Sequence, residues 1–404
     1  MRQRLELINT GSELLLGFNL NSHLSYIGRK LAELGLRLDR QTTVGDDRAE
    51  MRAVLAEAFQ RSEILLITGG LGPTSDDFTR DIVAELLARP LQRDETVAEV
   101  IATRLRKRGL QLADSFFVQA LVPAGARVLP NAHGTAPGLV IDHAGKLVVL
   151  LPGPPRELQP MFTEQVLPLL RPFAADLVCC TLKTVCLPES LVEAKVAPTL
   201  AGLAALEIGY CARPGEVEVR VVADRQTAAV AEQRIRTALG DAIIGDAEAR
   251  LEAVVVQSLA AAHRTIATAE SCTGGLIANR LTSVSGSSDV FLNGWVTYSN
   301  AAKQRDLGVR QETLEKFGAV SEQVAREMAE GARQHSGADY ALSATGIAGP
   351  TGGTAEKPVG LVFIGFATPE RTTAYRHLVQ FERETFKAFV AQLALDLVRR
   401  ELLP

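Results

Sequence analysis

The feature that most restricts the possible folds is a continuous apolar run from Ile64 to Thr68 that leads into a glycine-rich loop at residues 69–80. Such a run is typical of a strand buried on both faces, as in parallel sheets. In the preceding segment, Met51, Val54 and Leu55 recur at helical spacing. This alternation predicts an α/β fold in which residues 1–170 form a doubly wound, mostly parallel sheet, with a site at the carboxyl ends of its strands.

The loop reads Gly-Gly-Leu-Gly-Pro-Thr-Ser-Asp-Asp over residues 69–77 and has two interpretations. Its glycines would let backbone N–H groups approach a phosphate closely, while Asp76 and Asp77 could bind a divalent metal through oxygen. Alternatively, the loop is a tight turn in which an aspartate caps the helix that starts near Thr79. Spacing alone leaves both interpretations open.

Two more loops rich in glycine and proline adjoin predicted strands of the same segment. One is Asn-Ala-His-Gly-Thr-Ala-Pro-Gly at residues 131–138, and the other is Pro-Gly-Pro-Pro-Arg-Glu at residues 152–157. Three such loops at strand ends in one α/β domain predict a shared cleft.

The rest of the chain predicts two further domains, in keeping with a length of 404 residues. Residues 171–248 alternate short strands with two helices, which is typical of a small α+β domain, and they contain no Gly-x-x-Gly loop that would favour RNA binding. Residues 249–404 predict a C-terminal α/β domain. The middle domain is expected to serve packing, spacing or dimer contact.

The composition of the chain limits the binding partners and the cellular compartment that we expect for it. Lys+Arg total 43 against 47 Asp+Glu, so no global positive field favours nucleic acid. The basic run that contains Arg104, Arg106, Lys107 and Arg108 lies in a predicted helix and is interpreted as its solvated face. No apolar run approaches the length that crosses a membrane. Five cysteines without metal-like spacing indicate a reduced, cytoplasmic protein.

The stretch at residues 268–303 carries the second candidate chemistry. It contains Thr-Ala-Glu-Ser-Cys-Thr-Gly-Gly, then Gly-Ser-Ser at residues 286–288, then Val-Thr-Tyr-Ser-Asn-Ala-Ala-Lys ending at Lys303. Amide hydrolysis by serine needs an adjacent base, and a desolvated lysine can fill that role. Serines beside glycine are also common turn residues, and spacing alone does not decide. Cys272 is interpreted as a small buried thiol rather than a nucleophile.

These motifs, with Gly-Ala-Val-Ser at 318–321 and Thr-Gly-Ile-Ala-Gly-Pro-Thr-Gly-Gly at 345–353, resemble the C-terminal domain of the CinA family, which is similar to the nicotinamide mononucleotide deamidase PncC. The resemblance implies Ser288 as nucleophile, Lys303 as general base and Tyr298 as a helper in proton transfer, without a cofactor. It also implies a set of substrate-binding residues: Glu270, Ser271, Thr273, Gly274, Thr345, Gly346, Gly349 and Arg383.

The N-terminal motifs resemble the molybdopterin-binding-type domain of the same family. That resemblance implies metal-dependent hydrolysis of ADP-ribose to AMP and ribose 5-phosphate. The implied metal ligands are Asp76, Asp77 and Glu157. The implied nucleotide-binding residues are Gly69, Gly70, Gly72, Thr74, Asn131, Gly134, Thr135 and Gly153. One departure is Ala132-His133, where the family pattern has a proline after the asparagine.

The whole chain is thus predicted to be a cytoplasmic, two-activity hydrolase of pyridine-nucleotide salvage and, by resemblance, a homodimer. A second departure bears on affinity: Lys387 stands where the family pattern has an arginine, and an ammonium cannot grip phosphate bidentately. The competing prediction is a nucleotide-sensing or interaction protein without turnover, linked to competence or DNA damage.

Overall fold

The computed structural model describes residues 3–109, 113–174 and 177–403. The chain divides into two compact units, residues 1–179 and 180–404. Both are mixed α/β, which confirms the predicted fold class. The bounds of the three predicted domains stay predictions. Within the described ranges, no helix combines the length and the apolar character needed to cross a membrane.

The strands of the first unit are β1 (Leu5–Thr10), β2 (Arg40–Val44), β3 (Ile64–Thr68), β4 (Leu91–Arg93), β5 (Leu121–Pro123), β6 (Arg127–Leu129), β7 (Gly138–His143) and β8 (Lys146–Leu151). The helices are α1 (Ser12–Leu15), α2 (Ser22–Glu33), α3 (Arg48–Arg61), α4 (Thr79–Leu86), α5 (Glu95–Lys107), α6 (Pro155–Met161) and α7 (Leu167–Leu170). A 3-10 turn spans Asp114–Ala120, and a π-helical turn spans Phe162–Val166.

The main sheet of this unit has the described strand order β2-β1-β3-β8-β7-β6. Strands β2, β1, β3 and β8 are parallel, while β7 and β6 add antiparallel pairs at one edge. All residues of β3 are buried, as the apolar run predicts. Leu65 and Ile67 pack on one face with α3 and α4, and Ile64 and Leu66 pack on the other with α2 and α6. The sheet is therefore doubly wound.

Local boundaries differ from the sequence prediction in a few places. Asn21 caps α2 by accepting from the amide of Leu24, a cap that the sequence analysis did not predict. The helix after the glycine loop begins at Thr79 with no side-chain cap, because Asp77 instead accepts from the amide of Thr74 at 3.0 Å. The interpretation of the loop aspartates as caps of this helix is therefore wrong.

The second unit contains β9 (Leu177–Val185), which starts just before the unit boundary, β10 (Glu207–Arg213), β11 (Glu216–Asp224), β12 (Ile243–Asp246), β13 (Ile266–Glu270), β14 (Phe291–Val296), β15 (Tyr340–Gly346), β16 (Leu361–Ala367) and β17 (Thr372–Leu378). Its helices are α8 (Glu189–Leu200), α9 (Arg225–Leu239), α10 (Leu251–Ala261), α11 (Leu276–Thr282), α12 (Asn300–Leu307), α13 (Gln311–Phe317), α14 (Glu322–Ser336) and α15 (Arg383–Glu401).

Two sheets organise this unit. The order β10-β11-β9-β12, covered by α8 and α9, forms the small α+β domain that the sequence predicts. The order β14-β13-β15-β16-β17 forms the second sheet, with parallel pairs on both sides of β13. Helices α10 and α15 pack in one core cluster of this sheet, and α14 packs in the other. The carboxyl ends of β13, β14 and β15 therefore meet at one edge.

Candidate functional site

The C-terminal candidate site begins at the carboxyl end of β13, where Glu270 is fully buried. Its carboxylate accepts hydrogen bonds from the amides of Gly275, Ile277 and Ala278 at 2.8–3.0 Å. A carboxylate is favourable there because it satisfies the free N–H groups at the start of α11. Glu270 thus holds the turn of residues 271–275 through its carboxylate, and its predicted part in substrate binding stays a prediction.

Lys303 lies one turn into α12, which Ser299 caps by accepting from the amide of Ala302. The side chain is buried, with about 1% exposed. Its Nζ lies 2.7 Å from the carbonyl oxygen of Thr297, 3.1 Å from Oγ of Ser271 and 3.4 Å from the carbonyl oxygen of Tyr298. Burial lowers the pKa of Lys303 from its usual value.

Ser288, the predicted nucleophile, lies on the exposed 3-10 turn Ser287–Asp289. Among the hydrogen bonds of the described residues, none joins Ser288 to Lys303. The hydroxyl that contacts the lysine belongs to Ser271, which the sequence analysis placed among the substrate-binding residues. The nucleophilic role of Ser288 stays a prediction.

Tyr298 and Arg383 connect the strand end to the glycine loop after β15. Arg383 donates to the hydroxyl of Tyr298 at 3.0 Å and to the carbonyl of Gly349 at 2.9 Å. Tyr298 is about 63% exposed and open to a ligand. Lys387 lies 3.4 Å from Glu384 on its own helix, so part of its charge is already compensated.

Of four other predicted binding residues, two have internal contacts that account for them, and two have none. Thr345 is buried and donates to the carbonyl of Ala319 at 2.8 Å, which ties β15 to the segment before α14. Thr273 is fully buried, and its hydroxyl has no partner among the described residues. A Cβ at Gly346 would lie 2.8 Å from the carbonyl oxygen of Leu361, so strand packing requires that glycine. Gly274 is exposed, with open space beside it.

Cys272 confirms its interpretation as a buried thiol. It is about 5% exposed, and burial raises its pKa to about 12. A thiol with such a pKa is protonated near neutral pH and is a poor nucleophile.

The N-terminal candidate site is a cavity of about 370 Å³ to which all three predicted loops contribute. The predicted residues that line it are Gly69, Gly70, Gly72, Asp76, Asp77, Thr135, Gly153 and Glu157. Sequence reasoning missed five other residues that line the cavity. Four have polar side chains and one is a glycine: Thr10, Glu13, Asp46, Gln119 and Gly11. The Thr-Gly-Ser-Glu sequence after β1, at residues 10–13, is the signal that could have indicated most of them.

The glycines of the first loop are required by packing. Gly69 and Gly70 have φ of +96° and +64°, and a Cβ on them would lie 2.6 Å from the carbonyl oxygen of Thr10 and 2.0 Å from Oγ1 of Thr79, respectively. Only glycine tolerates both the positive φ and the close approach. The loop thus packs against β1 and α4 while its outer face lines the cavity.

Asn131, Gly134 and Thr74 are not among the lining residues and instead position those that are. Oδ1 of Asn131 accepts from the amide of Gly134, and Nδ2 donates to Glu157 at 2.8 Å. A Cβ at Gly134 would overlap the Glu157 carboxylate. The basic run at the end of α5 forms a solvated face as predicted at Arg106, Lys107 and Arg108, which are exposed. Arg104 departs from that prediction, because it donates to the carbonyls of Asn131 at 2.7 Å and of Gly134.

The cavity offers oxygen donors that suit a hard divalent cation. Asp76, Asp77 and Glu157 all line it, and hydrogen bonding to Thr74 lowers the pKa of Asp76, which keeps that carboxylate ionised. Across the described residues, no three His, Cys, Asp or Glu side chains are close enough to form a ready metal site. The residues fit a metal in donor type and in location, and ligand or water oxygens would have to complete its coordination.

The fold and the two sites define a multidomain α/β protein with a loop-lined cleft in one unit and a buried lysine–serine pair in the other. The model of the CinA C-terminal domain matches residues 248–402, the Probable molybdopterin binding domain matches 6–172, and the damage-inducible protein CinA KH domain matches 180–245. The chain belongs to the CinA family.

Relatives resemble the chain over nearly its whole length. A CinA-like protein of Akkermansia muciniphila is 45% identical over 97% of this chain and 96% of its own, and one of Kosmotoga olearia is 43% identical over 99% of each. The crystal structure of a competence/damage inducible protein from Agrobacterium tumefaciens is 41% identical over 38% of this chain and 94% of its own, with a TM-score of 0.36.

Proposed function

We propose that the C-terminal domain hydrolyses the carboxamide of nicotinamide mononucleotide to the carboxylate and ammonia. The observation that carries this proposal is the buried Lys303, in contact with a serine hydroxyl and with no carboxylate among its hydrogen-bond partners. Burial without a counter-ion favours the neutral amine, and a neutral amine can act as a general base.

The three oxygen atoms within hydrogen-bond distance of Nζ of Lys303 also support its role as a general base. A neutral amine has two N–H donors and one lone pair. The carbonyls of Thr297 and Tyr298 can take the two donors, which leaves the lone pair directed at the hydroxyl of Ser271. An ammonium would instead donate to all three oxygens. The same three oxygen atoms can therefore form hydrogen bonds with the neutral lysine and with the protonated lysine.

The proposed chemistry uses two serines. Ser288 is exposed, so a substrate carboxamide can reach it, and we keep it as the nucleophile. Its oxygen would bond to the carboxamide carbon while its proton passes through the hydroxyl of Ser271 to Lys303. The C–N bond then breaks, the proton moves to the departing ammonia, and water cleaves the ester and regenerates the serine. Tyr298 and Arg383 would orient the nucleotide.

For the N-terminal cleft we propose metal-dependent hydrolysis of the pyrophosphate of ADP-ribose to AMP and ribose 5-phosphate. Asp76, Asp77 and Glu157 would hold the cation, with Glu157 positioned by Asn131. A divalent cation, when bound, neutralises phosphate charge and acidifies a bound water. The glycine loop would place its backbone beside the phosphates, and Thr74 keeps Asp77 oriented through its amide.

The test of the C-terminal proposal is ammonia release from nicotinamide mononucleotide by the wild type and by Ser288→Ala, Ser271→Ala and Lys303→Met variants. Lys316→Met, an exposed lysine of the same domain, is the matched control. The assignment is supported if the wild type and Lys316→Met release ammonia and the three site variants do not. Nucleotide binding without ammonia release by the wild type would favour the sensing alternative. An acyl-enzyme trapped on Ser271 in intact-protein mass spectrometry would exchange the roles of the two serines.

The N-terminal proposal is tested separately, by AMP release from ADP-ribose with Mg²⁺ or Mn²⁺ and with chelator. Asp76→Asn should abolish release, while ammonia release in the other domain continues. AMP release that persists in chelator would contradict the metal requirement.

A further inference from the structure

Gln119 is a buried side chain of the N-terminal cavity to which the sequence analysis assigned no role. It lies near the end of the 3-10 turn Asp114–Ala120, is about 3% exposed, and lines the cavity beside the glycine loop. Its Nε2 donates to the carbonyl of Leu71 at 3.4 Å. The glutamine thus contacts the loop that we propose holds the phosphates.

The other end of this amide has no partner. Within the described ranges, Oε1 of Gln119 accepts no hydrogen bond although it is buried. The orientation of the amide is fixed chemically, because the Leu71 carbonyl can only accept and must therefore face the nitrogen. A buried, unpaired acceptor is unfavourable in the free protein and becomes favourable when a ligand supplies the donor.

The charges around the cavity indicate the kind of donor. Five carboxylates line it, contributed by Glu13, Asp46, Asp76, Asp77 and Glu157. A cationic donor would bind to these carboxylates rather than to a neutral amide oxygen. The side-chain oxygen of Gln119 is thus suited to a neutral donor such as a hydroxyl. The same cleft presents a glycine loop that is suited to phosphate. A sugar phosphate is the ligand class that carries both a hydroxyl and a phosphate.

We propose that Gln119 is a specificity-determining residue of this cleft, whose side-chain oxygen accepts a hydrogen bond from a ribose hydroxyl of the bound nucleotide. This inference rests on the proposed N-terminal function and adds the group that recognises the sugar. A site built to accept from a hydroxyl rejects an analogue that lacks it, since the buried acceptor is then left unpaired.

The test is a set of binding measurements by titration calorimetry on the full-length protein. The probes are AMP and ribose 5-phosphate, each compared with its 2-deoxy and 3-deoxy analogues on the ribose. We expect the wild type to bind at least one parent compound about tenfold more tightly than one of its deoxy analogues, a difference of ~1.4 kcal/mol. The Gln119→Met variant, similar in volume but without the acceptor, should lose that discrimination and bind both equally.

The control separates recognition from a structural role. Gln165 donates its side-chain amide to the carbonyl of Pro130 at 2.8 Å and is not a lining residue of the cavity, so Gln165→Met should leave every affinity unchanged. If Gln119 only supported Leu71, the Gln119→Met variant would weaken all probes equally and keep the discrimination, which would overturn the inference. If Gln119→Met fails to fold, the comparison of parent and deoxy compounds on the wild type decides whether the cleft recognises a ribose hydroxyl.

Failure of this inference differs from failure of the proposed activity. Discrimination without AMP release from ADP-ribose would refute the pyrophosphatase and leave the role of Gln119 standing. Release with equal affinity for parent and deoxy probes would refute the role of Gln119 alone. Absence of binding by both parent compounds would refute the role of Gln119, and it would refute the pyrophosphatase as well only when AMP release is also absent.

Discussion

Nζ of Lys303 lies 3.1 Å from Oγ of Ser271, although 32 positions separate the two residues in the chain. The contact exists because the carboxyl ends of the parallel strands β13 and β14 meet at one sheet edge: Ser271 follows the first strand, and α12 follows the second. Burial of the lysine at this edge makes it a candidate base, and the first predictions concern it.

Replacement of Lys303 by methionine should lower kcat for ammonia release by about 10²–10⁴-fold, the usual contribution of a general base. Nucleotide affinity should change little, because the side chain of Lys303 is about 1% exposed and leaves almost no surface for a ligand to contact. Steady-state kinetics and nucleotide titration measure the two effects. A variant that retains more than a tenth of the wild-type kcat would exclude Lys303 as the base.

The pH profile of ammonia release should rise with pH, because only the neutral lysine accepts a proton. Burial lowers the pKa of Lys303, so the midpoint should lie below the ordinary lysine value of 10.5. The unfolded chain binds this proton more tightly than the native one, and between the native pKa and 10.5 the contribution of Lys303 to stability therefore rises with pH. Denaturant unfolding at several pH values should show that rise in the wild type and not in Lys303→Met.

Glu270→Gln should destabilise the C-terminal domain by about 1–3 kcal/mol. The native carboxylate accepts from three amides, and a glutamine would present an N–H₂ group to at least one of these donors. Denaturant titration measures the loss. Glu252→Gln is a useful comparison, since it weakens a buried ion pair with Arg280 outside the turn. An unchanged midpoint for Glu270→Gln would refute the turn-holding role.

Cys272 should resist alkylation in the native protein near neutral pH, because burial raises the pKa of its thiol to about 12. Cys211, which is exposed, should react first with iodoacetamide. Peptide mass spectrometry after brief labelling distinguishes them. Cys272→Ala should keep ammonia release within about twofold of the wild type, and a complete loss with retained fold would show that the thiol takes part in catalysis.

Arg383→Met should raise KM for the nucleotide more than it lowers kcat, since Arg383 contacts Tyr298 and the glycine loop and not the base. Lys387→Arg should lower KM if residue 387 contacts the phosphate, because a guanidinium binds phosphate bidentately. Kinetics with both variants give the comparison. If KM changes in neither variant, the phosphate does not bind at Arg383 or at residue 387.

The sequence predicted those parts of the structure that depend on local pattern. The buried strand at Ile64–Thr68 and the buried thiol of Cys272 were both expected from local sequence, and the structure confirms them. Contacts between distant segments were not predictable in this way. Gln119 meets Leu71 across 48 positions, and Arg104 meets Asn131 across 27, and nothing in one sequence encodes either pairing.

The packing roles of Glu270 and the loop glycines were not predictable for a related reason. Both belong to motifs dense in small and polar residues, which suggests ligand contact. In the structure Glu270 satisfies the backbone of the turn, and Gly69 and Gly70 make room for Thr10 and Thr79. A sequence pattern shows that a position is restricted, and only the three-dimensional contacts show whether a ligand or the fold restricts it.

The carboxylate of Glu270 has a consequence for how related chains are classified. Because the Thr-Ala-Glu-Ser-Cys-Thr-Gly-Gly signature contains the anchor of its own turn, selection for a stable domain is enough to preserve its glutamate. If Lys303 is the base, as we propose, a descendant could lose catalysis through one substitution at Lys303 and still carry the signature intact. Inactive paralogues would therefore pass a motif search, and residue 303 is the position that would reveal them.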